Sequence, residues 1–117
     1  MNIEISNDKS VGEVQKEFRA AFPFLKIEFF KKNGAGLRNG MQTIPDKTTI
    51  GMIRAARAAD SVDIDPARRV GEVEADFLTK LGLLVRIFRK SGNMWIETTL
   101  TDNWSLRRQN HEGEQMS

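Results

Sequence analysis

Apolar and polar residues alternate in two short stretches, Ile3 to Ile5 and Val62 to Ile64, and each is followed by a segment with a longer apolar spacing. Strict alternation is the signature of a half-buried strand. In the longer segments Val11, Val14, Phe18 and Phe22, and then Val70, Val73, Phe77 and Leu81, fall at i, i+3, i+7 and i+11. That spacing lines one stripe of a helix, so two helices are predicted, each with a single face toward a core. Residues 2–25 and 61–84 align without a gap at a spacing of 59 (70 − 11), and Val11–Phe18 matches Val70–Phe77 at five of eight positions. Pro23 and Gly82 stop the two helical patterns at the same point.

Helix starts and connections follow from local chemistry. Ser10 with Glu13 three residues on reads as a capping box, whereas the second segment has Arg69 in the capping place and lacks that oxygen. Beyond the stops, Leu25–Phe30 and Leu84–Lys90 read as strands, and Ser91-Gly92-Asn93 reads as a turn into a hairpin partner over Met94–Thr99. Lys31 to Gly40 is rich in glycine and asparagine and reads as a loop, leading to a short strand near Met41–Ile44. Asp46-Lys47-Thr48-Thr49-Ile50 resembles Asp102-Asn103-Trp104-Ser105-Leu106, and both suggest short helical turns, the first extending through Met52 toward Ala59. The polar ending from Gln109 is expected to fray, with 111–117 a flexible tail.

These elements predict an α+β fold built from duplicated strand-helix-strand units, about 1–57 and 60–110. The expected arrangement is a mixed sheet with two helices on one face, either ferredoxin-like or β-grasp-like. A chain of 117 residues fits one domain, and each half is too small to bury an adequate core separately. Gly12 and Gly71, in the first turns of the two helices, suggest close approach of the backbone to a neighbouring strand.

Composition excludes several kinds of chemistry. There is no cysteine, hence no disulfide, thiolate nucleophile or cysteine metal site. No apolar run approaches the ~20 residues of a membrane helix, and the first residues lack a basic segment leading into an apolar one. A cytoplasmic protein without a membrane association is therefore expected. Asn103-Trp104-Ser105 matches a glycosylation sequon, which has no meaning without export.

The net charge of +2 is distributed unevenly. Residues 23–60 carry seven basic and three acidic groups, and residues 82–108 carry five and two, so positive charge belongs to the strands and loops. The acidic excess lies on the helices, where Glu13, Glu17, Glu72, Glu74 and Asp76 read as solvated faces.

Catalytic constellations are sparse. The only histidine, His111, stands in the polar ending beside Glu112 and Glu114, where no second shell is expected to orient it. Gly34-Ala35-Gly36 preceded by Lys31 and Lys32 is the one glycine-rich basic loop and a weak candidate anion site. It lacks the Gly-Lys-Ser/Thr of a phosphate loop and the spacing of a dinucleotide fingerprint. No catalytic residue, metal ligand or cofactor is predicted.

The alternation within the long strands points instead to a surface. With Leu25, Ile27 and Phe29, and Val85 and Ile87, turned to the helices, the opposite face receives Lys26, Glu28, Phe30, Leu84, Arg86, Phe88 and Lys90. Trp95 joins them from the hairpin strand. Aromatic rings mixed with lysine and arginine suit a partner protein, a second copy of the chain, or stacked single-stranded bases. A further possibility is that Phe30, Phe88 and Trp95 are covered by the segment near Ile44–Ala59 or the turn at Trp104.

Two stretches carry a family resemblance. Trp95–Asn110, preceded by Ile87–Asn93, and Ala21–Phe30 near the start resemble a small family of uncharacterised bacterial proteins. The likeness implies a bacterial origin and assigns no activity or site residue. The sequence is thus read as a non-enzymatic protein-interaction module that self-associates through the sheet face or binds an unknown protein. Weak single-stranded nucleic-acid binding is the alternative, through Lys26, Lys31, Lys32, Arg86, Arg89 and Lys90.

Overall fold

The computed structural model of the chain describes residues 1–32, 41–57 and 59–117. In chain order the elements are β1 (Asn2–Glu4), α1 (Val11–Ala21), β2 (Leu25–Lys32), β3 (Met41–Thr43), α2 (Ile50–Ile53), β4 (Ser61–Asp63), α3 (Val70–Leu81), β5 (Leu84–Ser91), β6 (Met94–Glu97) and α4 (Leu106–Gln115), with one 3₁₀ turn at Thr99–Thr101. The α+β class is as the sequence indicates, but the sheet arrangement differs. Among the described residues the strands form two sheets, β1-β4 and β3-β2-β5-β6, and every pairing is antiparallel. No mixed sheet arises, because each strand-helix-strand unit carries the chain from the small sheet to the large one. The handedness rule for parallel crossovers applies only when both strands share a sheet.

Corresponding positions of the two halves meet at the centre. Ile3 lies opposite Val62 in the small sheet, and Ile27 lies opposite Ile87 in the large one. Ile27 and Ile87 turn backbone groups away from each other, toward the flanking helices. The Gln15 amide donates to the Ile27 carbonyl at 3.0 Å, and the Glu74 carboxylate accepts from the Ile87 N–H at 2.9 Å. Two strand segments that would otherwise offer free backbone to a foreign strand are closed in this way. The spacing of 59 holds through the helices and not beyond them. The buried residues beyond the helices are Leu25, Ile27 and Phe29 in one half and, in the other, Leu83 just before β5 with Val85 and Ile87 within it, which cannot be matched at an odd offset.

The helix stripes enter one core. Val11, Val14, Phe18 and Phe22, and Val70, Val73, Phe77 and Leu81, are all buried, together with Ile3, Ile5, Val62 and Ile64 from the small sheet. Phe29 of β2 packs edge-on to Phe77 of α3, with centroids 5.9 Å apart, so the seam between halves is part of the core.

The helix starts are tied in reciprocal pairs. The N–H groups of Val11 and Gly12 donate to the carbonyls of Thr48 and Asp46, while those of Ile50 and Gly51 donate back to Lys9 and Asn7, all at 2.8–2.9 Å. The second half repeats the arrangement between Val70 and Gly71 and the carbonyls of Trp104 and Asp102, and between Leu106 and Arg107 and those of Arg68 and Pro66. Each helix thereby satisfies two of its four orphan amides with the loop that begins another. Gly12 and Gly71 accordingly approach loop carbonyls, and not a strand as their position suggested.

Two further expectations are corrected. The helix starting at Ile50 ends at Ile53, well short of Ala59, because the N–H groups of Ala55 and Ala56 turn to the Leu81 carbonyl at the end of α3. Arg54, whose side chain is 2% exposed, fixes that turn through the carbonyls of Ile5, Ala56 and Ala59 and the carboxylate of Asp60. At the other end, the expected fraying tail is helix α4, which runs through Gln115. Its polarity hides tertiary contacts: Gln109 is fully buried, Gly113 packs on Phe24, the Asn110 side-chain Oδ1 accepts from the Phe24 N–H at 2.9 Å, and the Met116 carbonyl accepts from Gly92 N–H.

Candidate functional site

Strand register places the outward residues of the large sheet in rows. Lys90 lies beside Trp95, Lys26 beside Phe88 and Phe88 beside Glu97, Glu28 beside Arg86, and Thr43 and Leu84 on either side of Phe30. Lys26, Phe30, Arg86, Phe88, Lys90 and Trp95 are thus brought to one face, and all are half-buried. Phe30 shares a groove with Ile44 and Ile53 of the following segment. Trp104 is engaged elsewhere, with the Arg108 guanidinium 3.7 Å and that of Arg89 5.5 Å from its ring centroid.

Trp95 is the focus of positive charge at one end of the face. Lys26 and Lys90 each place their ammonium 5.3 Å from its ring centroid, and the Arg19 guanidinium lies at 4.9 Å. Lys26 also stands 5.6 Å from the Phe88 ring. The rings attract cations through their quadrupoles. Among the described residues none of Arg19, Lys26, Arg86 and Lys90 forms an ion pair with a carboxylate. Glu28, paired in register with Arg86, is held instead by the Gln15 amide at 2.7 Å, and Glu97 stands in the row of Phe88 and Lys26. Beside this cluster a cleft of about 640 Å³ runs between α1 and β2, lined by Lys16, Arg19, Pro23, Lys26 and Glu28 among others.

The opposite end is apolar. Phe30, Ile44, Ile53, Leu78 and Leu84 line a groove of about 600 Å³ between β2, α2 and α3, with Lys31 and Arg86 on its margin. Leu78 is 52% exposed, unlike the stripe residues Val70, Val73, Phe77 and Leu81 of the same helix. Arg19 and Leu78 hold corresponding places on α1 and α3, so one flank of the sheet is cationic where the other is oily.

Arg89 does not belong to this face. It pairs with Leu25, on the inward side, and donates to the Gln109 side-chain oxygen at 2.9 Å; its Nε is buried without a partner. The nucleic-acid reading had grouped it with the outer cations. Gln109 passes the network on to the carbonyl and hydroxyl of Thr101 at 2.7 and 2.8 Å. Of the candidate anion loop, Lys31 is exposed on β2 and Lys32 pairs through its backbone with Met41; Gly34 and Gly36 lie outside the described residues. His111 is exposed on α4. Among the described residues no group of three or more histidine, aspartate or glutamate side chains is placed to hold a metal ion.

The one clearly displaced acidic group nearby is Glu74. Burial pushes its carboxyl above the ordinary range, against the opposing pull of the Ile87 N–H and of Arg86, and Asp102 and Glu97 raise it further.

Sequence reasoning missed Arg19 and the groove formed by Ile44, Ile53 and Leu78. Arg19 stands four residues after Gln15, a spacing that places both on the flank of α1 beside the core stripe and was available as a signal. The groove required knowing that α2 ends at Ile53. Comparison with protein-family models, with curated proteins and with solved structures gives no match. Among the described residues no helix is long and apolar enough to cross a membrane.

Proposed function

We propose that the protein is a non-enzymatic interaction module that receives an acidic segment of a partner protein on the outer face of its large sheet. The observation that carries this reading is the convergence of Arg19, Lys26 and Lys90 on the half-buried Trp95, with no carboxylate among the described residues paired to any of them. Cations gathered around an aromatic ring on an open surface suit carboxylates from outside. Self-association through the same face is less suited. A twofold contact would press a surface rich in Arg19, Lys26, Arg86 and Lys90, and poorer in acid, against its own copy.

Single-stranded nucleic acid is the second reading, favoured by Phe88 and Trp95 standing among the same cations. It is disfavoured by the cations that already occupy the Trp95 ring, which a base would have to displace in order to stack. The reciprocal ties between helix starts and the pairing of Ile3 with Val62 support reading the chain as a duplicated unit.

The test uses Trp95 fluorescence in a Trp104→Phe background, titrated with a glutamate-rich peptide and with a single-stranded oligonucleotide of equal charge. Saturable binding of the peptide, weakened by salt and lost with Lys26→Glu/Lys90→Glu, is expected. Preferential binding of the oligonucleotide would transfer the function to the second reading. No response to either ligand at low salt would remove both.

A further inference from the structure

Resting on that reading, we infer that the partner segment is amphipathic: it carries a large apolar side chain that anchors in the groove between Phe30, Leu78 and Leu84 while its acidic residues meet the cations around Trp95. The two ends of the face have opposite chemistry. One exposes oily side chains, Leu78 at 52% among them, and the other gathers cations that no carboxylate among the described residues pairs. Lys90 stands six residues beyond Leu84 on β5, about 20 Å along an extended strand. A segment long enough to cover that span touches both ends at once. Arg86 lies between them, at the groove margin and beside Glu28, and offers a further contact to acid on the same path.

Charge selects this occupant over the alternatives. A purely apolar ligand leaves the Trp95 cations without anions, and a purely acidic one leaves Phe30, Ile53, Leu78 and Leu84 wet. Contiguous apolar surface on a soluble chain marks a contact site, and burial of one leucine-sized anchor is the largest single gain this groove can give. The acidic part steers the approach and fixes direction, and the anchor lengthens residence.

A display library of random 16-residue peptides, selected on the full chain, tests this without knowledge of the partner. Enriched sequences are expected to combine clustered Asp and Glu with a Leu, Ile, Phe or Met displaced from them. Binding of a selected peptide should fall about tenfold with Leu84→Glu, and equally with Leu78→Ser, which is milder to the fold. Circular dichroism and thermal midpoints of the variants confirm that they remain folded. Acidic sequences enriched with no apolar preference, and indifferent to Leu78→Ser, would overturn the anchor while leaving acidic docking intact. Enrichment no greater on the wild type than on Lys26→Glu/Lys90→Glu would overturn both.

Discussion

Gln15 and Glu74 occupy corresponding positions on α1 and α3 and close corresponding strands, yet one is neutral and the other ionisable. Because burial raises the Glu74 carboxyl above its ordinary value, the folded chain holds that proton more tightly than the unfolded chain does. The resulting stabilisation is full below the ordinary glutamate value of about 4.3 and is lost as pH rises through the raised folded value. Glu74→Gln keeps an oxygen for the Ile87 N–H and removes the titration. Urea midpoints measured from about pH 4 to pH 7 should therefore decline less steeply in the variant than in the wild type; equal slopes would refute the assignment. A second residue-scale contrast concerns two glycines with positive φ. Gly82 (φ 65°) ends α3 where an added Cβ would stand 2.6 Å from that of Ala55, whereas Gly92 (φ 59°) turns the β5-β6 hairpin with nothing within 4 Å. Gly92→Ala is expected to cost about 1 kcal/mol, the left-handed penalty alone, and Gly82→Ala clearly more, from the added clash. Denaturant unfolding of both variants, read side by side, checks the order.

At the level of elements, α1 and α3 differ in their first turn. Ser10 accepts from the Glu13 N–H at 3.1 Å and Glu13 reaches back to the Ser10 N–H at 3.2 Å, completing the box. In α3 only the return half exists, from the Arg69 N–H to Glu72 at 2.8 Å, since an arginine side chain has no acceptor to offer. Arg69→Ser should stabilise the protein by roughly 0.5–1 kcal/mol, and Ser10→Ala should destabilise it by a similar amount; chevron or equilibrium urea data separate the two. These caps were legible in the sequence, as were α1, α3, β2 and β5, because each depends on spacing within a single segment. The outward set from Lys26 to Trp95 was legible for the same reason, once strand parity was read. Relations between segments were not. Arg89 shares the parity of the inward Val85 and Ile87 and lies opposite Leu25, so only its charge groups it with the outer cations, and its partial burial depends on Gln109 arriving from α4. Helix α4 itself has few apolar residues, so composition described it as a tail. Its order comes from contacts with Phe24, Gly92 and Arg89, which are remote in sequence.

The whole molecule is held by its seam. Ile3 against Val62, Ile27 against Ile87 and Phe29 against Phe77 each join one half to the other, and the helix stripes of both halves share one buried cluster. Neither half keeps a covered core when the other is removed. The pieces 1–57 and 60–117 should each be largely unfolded alone by circular dichroism, given how little surface a chain of that size can bury. Mixing them offers the decisive observation. If the seam supplies the missing core, the mixture should regain helical signal in a concentration-dependent way, because association replaces covalent linkage. Phe77→Ala in the second piece should abolish that recovery, since an emptied site facing Phe29 costs about 3–5 kcal/mol in intact proteins. A half that folds cooperatively by itself would mean that the contacts between the halves are an addition to two finished units. The outer sheet face, which is assembled from β2 of one half and β5 of the other, would then have no structural reason to act as one surface.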